Sequence, residues 1–284
     1  MSETEQLKPE SWLWHLLGLI NPMIVMASNI VGGYWVASGV IYMLGLGPIL
    51  DMLFGRAEKP KPARASGRPF EALLYIHAFI QFATLGTLLY RASIDGSAWT
   101  TWVAALSTGI SSGVSGIIVA HELGHTRKGS FSWWVGRANL LSVLYLHFTT
   151  EHNFTHHKHV STVKDPATAR YGESVWWFVA RTVPGQFRDA AAVHHRKGKT
   201  GFKNPVYRGL LLQIVMVAAM FAFLGPWITG AFLAQAAFAV FLLEYINYIR
   251  HYGLLREVGE RQTEMHSWQS EERWSRWTLL ELTR

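Results

Sequence analysis

The stretch SWLWHLLGLINPMIVMASNIVGGYWVASGVIYMLGLGPIL, residues 11–50, contains no Asp, Glu, Lys or Arg. A helix that crosses a bilayer needs about 20 predominantly apolar residues, so this segment is long enough for two spans. Gly32-Gly33 marks the turn between them, and Asn21-Pro22 predicts a kink in the first. Working outward, residues 72–90 and 98–120 are again uncharged and are separated by a short polar turn containing Arg91, Asp95 and Gly96. Residues 209–243 are uncharged too and are broken at Gly225-Pro226. The pattern predicts an all-α integral membrane protein with six transmembrane helices in three hairpins. Residues 1–10 carry three Glu and one Lys and so lack the basic start of a cleaved signal peptide. No internal repeat, low-complexity tract or soluble second domain is visible, and residues 1–284 read as a single membrane domain.

Composition points the same way. Half of the residues are hydrophobic and 16% are Asp, Glu, Lys or Arg, against about 25% in a typical soluble domain. The absence of Cys excludes a disulfide scaffold, a Cys-ligated iron–sulfur cluster, a haem thiolate and a Cys nucleophile, so any metal must be held by His or carboxylate. A net charge of +7 on so apolar a chain fits basic cytoplasmic loops, not a nucleic-acid binder. With both termini cytoplasmic, 25 of the 26 Lys and Arg fall on the cytoplasmic side and Arg91 alone lies outside. The loop with Arg56, Lys59, Lys61, Arg64 and Arg68 reads as a basic strap against anionic lipid. Residues 175–183, with Trp176, Trp177 and Phe178, read as an interfacial amphipathic helix.

Seven of the thirteen His lie between His121 and His159. His121-Glu122-Leu123-Gly124-His125 begins where the fourth span leaves the membrane, and on a continuing helix its two imidazoles share a face. Alone, this H-E-x-x-H pattern also fits a zinc protease. Glu151-His152-Asn153-Phe154-Thr155-His156-His157 adds three imidazoles, with His152 and His156 expected on one face and His157 turned about 100° away. Catalytic zinc takes three protein ligands, so five imidazoles in 37 residues suit two adjacent metals. Imidazole accepts iron, copper, nickel or zinc, so the donors do not name the metal. A zinc protease would also want an Asp in a later span, and there is none. His147, His159, His194 and His195 read as bystanders, and His15 and His77 as hydrogen-bonded core residues within spans. Glu244, near a span end with His251 seven residues on, reads as a carboxylate supporting the histidines. Trp35, Tyr42 and Met43 are candidates for lining a route into the bundle from the bilayer.

Those clusters, Asp165-Pro166, and Asn247-Tyr248-Ile249-Arg250-His251-Tyr252-Gly253-Leu254 together resemble the integral-membrane alkane 1-monooxygenases of the fatty acid desaturase-like superfamily. The resemblance covers nearly the whole chain, and the His-Tyr-Gly-Leu element is its most specific part. It implies a diiron site without bridging carboxylates, O2 as oxidant, and electrons from rubredoxin served by an NAD(P)H-dependent reductase. It further implies terminal hydroxylation of an alkane that enters from membrane lipid, in a bacterial inner membrane. It makes metal ligands of His121, His125, His152, His156, His157 and His251, and leaves His147, His159, His194, His195 and His266 outside. The family carries a third cluster of the H-S-D-H-H kind, expected to begin where this sequence ends at Arg284, so six of nine imidazoles are present and the chain reads as truncated. The competing readings are a xylene-type monooxygenase or lipid desaturase with the same iron site, and an inactive, metal-poor membrane protein.

Overall fold

The structure is a computed structural model describing residues 11–56 and 67–278. Among the described residues, six helices are long and apolar enough to cross a membrane: α1 (Trp12–Val31), α2 (Gly33–Phe54), α3 (Arg68–Asp95), α4 (Trp99–Gly124), α8 (Pro205–Leu224) and α9 (Pro226–His251). Between α4 and α8 lie α5 (Phe131–Ser142), α6 (residues 148–159) and α7 (Val175–His195). A short α10 (Arg273–Thr278) follows α9. No strand occurs among the described residues beyond an isolated bridge between Arg56 and Glu272.

The most enclosed span is α4, because the sequence loads it with small and hydroxylated residues. In a bilayer there is little hydrophobic drive between helices, so close packing and interhelical hydrogen bonds hold a bundle together. Ser107 Oγ donates to Val36 O in α2 at 2.6 Å, and Asn29 Nδ2 of α1 donates to Thr108 Oγ1 at 3.2 Å. Gln81 Nε2 of α3 donates to Ser112 Oγ at 3.0 Å, and Ser112 Oγ donates to Gln235 Oε1 of α9 at 2.9 Å. Gly109 permits that last approach: a Cβ there would stand 2.9 Å from Gln235 O. The expected core role of His77 is met by a 3.0 Å hydrogen bond between its Nδ1 and Ser115 Oγ.

The turn expected at Gly32-Gly33 is present. Gly32 has φ 79° and ψ −161°, a backbone conformation reserved for glycine. Arg91 fills the space beside it and donates to the carbonyls of Asn29 and Ile30 at 2.7 Å each, closing the end of α1. The kink expected at Asn21-Pro22 takes another form: α1 is wound as a 3-10 helix over Trp12–Leu19 and as an α-helix from Ile20, so the change falls one residue before Asn21. The expected helix at 175–183 is longer and runs to His195 through Pro184. Trp176 and Trp177 are exposed and Phe178 is buried, which preserves its amphipathic character. Of the early aromatic candidates for a lipid route, Trp35 is exposed beside the Gly32 turn, while Tyr42 and Met43 are half-buried. The basic strap lies mostly at residues 57–66, outside the described residues.

Candidate metal centre

His121 stands in the last turn of α4 and His125 just past its end. A hydrogen bond from Asn153 Nδ2 to Gly124 O at 2.9 Å ties α6 to this terminus. Gly124 allows the approach, since a Cβ there would meet Thr149 Cγ2 at 3.3 Å. The ring centroids of His121 and His152 lie 4.4 Å apart, those of His125 and His157 5.2 Å, and those of His152 and His157 4.4 Å. One ligand atom from each of His121, His125, His152 and His157 fits within 4.8 Å of all the others.

The presence of His157 in this group departs from the helical-wheel expectation. Residues His152–His156 form a π-helical turn, closed by a hydrogen bond from His157 N to His152 O. That wider i→i+5 turn returns His157 to the side of His152. It leaves His156 facing elsewhere: its ring centroid is 5.3 Å from that of His251, at the end of α9. Thus four of the six expected residues converge as one group, and His156 with His251 forms an adjoining pair, 5.3 Å from His152 by way of His156.

Three rings have their Nδ1 already engaged. His156 Nδ1 donates to Asp165 Oδ2 at 3.0 Å, and the same oxygen accepts from Thr168 Oγ1 at 2.6 Å. His251 Nδ1 donates to His266 O at 3.3 Å, and His121 Nδ1 lies 3.0 Å from Glu122 Oε1. A proton held on Nδ1 leaves Nε2 with its lone pair free for a metal, the usual arrangement behind ligating histidine. Among the described residues His152 Nε2 is buried without a hydrogen-bond partner. His121 Nε2 and His125 Nε2 face each other at 3.4 Å. A cation between these atoms satisfies all of them, so the residues present fit a metal.

The electrostatics agree. Burial, reinforced by the other rings, holds His152 well below the usual imidazole range, and burial first, then His156, brings His157 down to about 4. Metals bind imidazole in that neutral form. His156 differs: burial opposes its charge, but Asp165, with Glu151 and Glu244 behind it, raises the ring to about 9. Burial also lifts the Glu151 carboxyl to about 8, against the pull of His156. The surroundings of His156 therefore favour positive charge, which a metal would supply. Glu244 is fully buried and acts on His156 from a distance. Its carboxylate accepts from Gln186 Nε2 at 2.8 Å, Tyr145 Oη at 3.0 Å and Asn247 Nδ2 at 3.2 Å.

His147, His159, His194, His195 and His266 stay out of the four-ring group. His266 nonetheless contributes its carbonyl to orienting His251. Glu122, Asp165 and Thr168 hold rings in place, roles that the spacing of the histidines does not reveal. Asp165, noted in the sequence beside Pro166, is the first carboxylate after the second cluster and is followed three residues on by a hydroxyl, the signal for its role.

Residues 97–284 match the family model described as fatty acid desaturase. The chain is 33% identical over 98% of its length to alkane 1-monooxygenase 1 of Alcanivorax borkumensis, of which it covers 73%. It is 34% identical over 89% of its length to alkane 1-monooxygenase of Pseudomonas putida, covering 69% of that protein. With alkane 1-monooxygenase 1 of Pseudomonas aeruginosa it shares 35% identity, over 91% of this chain and 73% of the relative.

Proposed function

The chain belongs to the alkane 1-monooxygenase family, within the fatty acid desaturase-like proteins, and we propose that it converts an alkane and O2 to a primary alcohol at two irons held by histidine. The observation that carries this reading is the meeting of His121, His125, His152 and His157 beside the His156–His251 pair at one end of an apolar bundle. In the proposal all six are iron ligands. The metal, when bound, supplies activation of O2: with two electrons and two protons from outside, one oxygen atom enters a terminal C–H bond and the other leaves as water.

The chain supplies position and dryness. Asp165 and the His266 carbonyl hold protons on Nδ1 of His156 and His251, which keeps each Nε2 directed to the centre. Phe148, buried, stacks on His152 with ring centroids 5.0 Å apart and shields that ring from water. Gln186, Tyr145 and Asn247 fix Glu244 behind the site. An alkane dissolves in the bilayer, so a centre at the end of a membrane bundle receives it without passage through water. Electrons come, in this reading, from rubredoxin reduced by an NAD(P)H-dependent reductase. The exposed cations Arg127, Lys128, Arg196, Lys197 and Lys199, near the histidines, are placed to steer an acidic donor. The protein is read as one domain, multi-pass in the inner membrane, with the histidines and both termini on the cytoplasmic side.

The test is reconstitution in lipid nanodiscs with iron, rubredoxin, reductase and octane. 1-Octanol should form, and His125→Ala should abolish it and lower bound iron. A product from xylene or an unsaturated acyl chain, with no octanol, would assign the same iron site to other chemistry.

A further inference from the structure

A cavity of about 840 Å3 opens beside His125 between the end of α4, α5, α6, the end of α7 and the start of α8. Its wall carries Lys128, Arg137, Lys197 and Arg208, and no Asp or Glu. Four cations around one cavity repel one another, and the repulsion is relieved by an anion bound among them. His147 and His194 also line the cavity, and both are more than nine-tenths buried.

The place of the cavity identifies the source of the anion. It lies where α4 ends at Gly124 and α8 begins at Pro205, the depth at which a bilayer presents its phosphates. The same wall includes Trp134, 60% exposed, and Leu212, 51% exposed, apolar surface suited to glycerol and the first methylenes of an acyl chain. Trp133 carries the Arg137 guanidinium 5.3 Å above its ring, which holds that charge at the wall. A free phosphate would use the cations and leave the aromatic side bare.

We propose that this basic cavity binds the phosphate headgroup of an anionic phospholipid against the flank of the histidine centre. The occupant is a structural lipid, and this role does not depend on the reaction carried out next to it.

Native mass spectrometry of the full chain in detergent, titrated with phosphatidylglycerol or phosphatidylcholine, tests the assignment. One phosphatidylglycerol should be retained about tenfold more tightly than phosphatidylcholine. Lys128→Ala with Arg208→Ala, both at exposed positions, should remove most of that preference, while Arg170→Ala with Arg261→Ala should leave it intact. Inorganic phosphate in millimolar excess should displace the lipid only weakly. Equal retention of the two lipids by the unaltered protein would overturn the proposal without any variant. So would full displacement by inorganic phosphate, which would mark a site for free anions, or a paired variant that keeps its lipid and loses only an acidic electron donor.

Discussion

At the residue scale, the carboxylate behind His156 separates this centre from a chance gathering of rings. Asp165 accepts from His156, from Thr168 and, through its other oxygen, from Ala167 N at 3.1 Å, so its position is fixed by three donors. Asp165→Asn keeps the size but weakens the hold on the Nδ1 proton. Loss of such a partner typically lowers metal affinity about 10–100-fold, and a metal titration of the purified protein should read a drop of that order. His195→Ala, at an exposed ring away from the cluster, should leave the titration unchanged. A second residue-scale test lies at the far end of α1. Gly32→Ala would place a Cβ 2.5 Å from the Arg91 guanidinium, in a backbone region that costs about 1–3 kcal/mol for other residues. Thermal unfolding in detergent should shift down, with metal content per folded molecule preserved.

At the element scale, the π turn in α6 decides which histidines meet. Spacing of four and five along a regular helix puts His156, not His157, beneath His152, and no residue type in His152–His156 announces the wider turn. The effect is testable by deleting Thr155, which allows the segment to close as an ordinary α-helix. The last of the imidazoles then stands four residues after His152 and stays on its face, beside His121 and His125. Bound metal should be largely retained while the helix content by circular dichroism stays within a few per cent, roughly one residue's worth. Loss of the metal would mean that the turn does more than set which imidazole lies beneath His152. The same scale shows why α7 exceeds its sequence-based extent. Pro184 lies on the exposed side, next to exposed Ala180, so the helical hydrogen bond lost at the Ala180 carbonyl is not sealed in the core and the helix runs on to His195. The spans were legible because long uncharged segments leave few alternatives. The partners of His156 and His251 were not, because Asp165 and the His266 carbonyl reach the site through loop closure and not through any period in the sequence.

At the scale of the whole molecule, the proposed orientation rests on the distribution of charge. Positive residues are retained on the cytoplasmic side, and 25 of the 26 Lys and Arg can be placed there together only if the histidine end of the bundle is cytoplasmic. The exception is Arg91, and the structure accounts for it. Its side chain is buried, donates to two carbonyls at the end of α1, and pairs with Asp95 Oδ1 at 3.0 Å, so it does not present a free charge to the membrane surface. An Arg consumed in this way carries little weight in deciding topology, which makes the asymmetry of the remaining cations nearly complete. A reporter inserted at Gly96, in the turn after α3, should therefore read as periplasmic, and one fused after Glu260 as cytoplasmic. Arg91→Gln should lower stability, because the α1 carbonyls lose their charged donor, and should leave both reporter signals in place. A cytoplasmic signal at Gly96 would reverse the bundle, put the exposed cations beside the histidines on the wrong side for a cytoplasmic electron donor, and require the proposed reaction to draw its electrons from elsewhere.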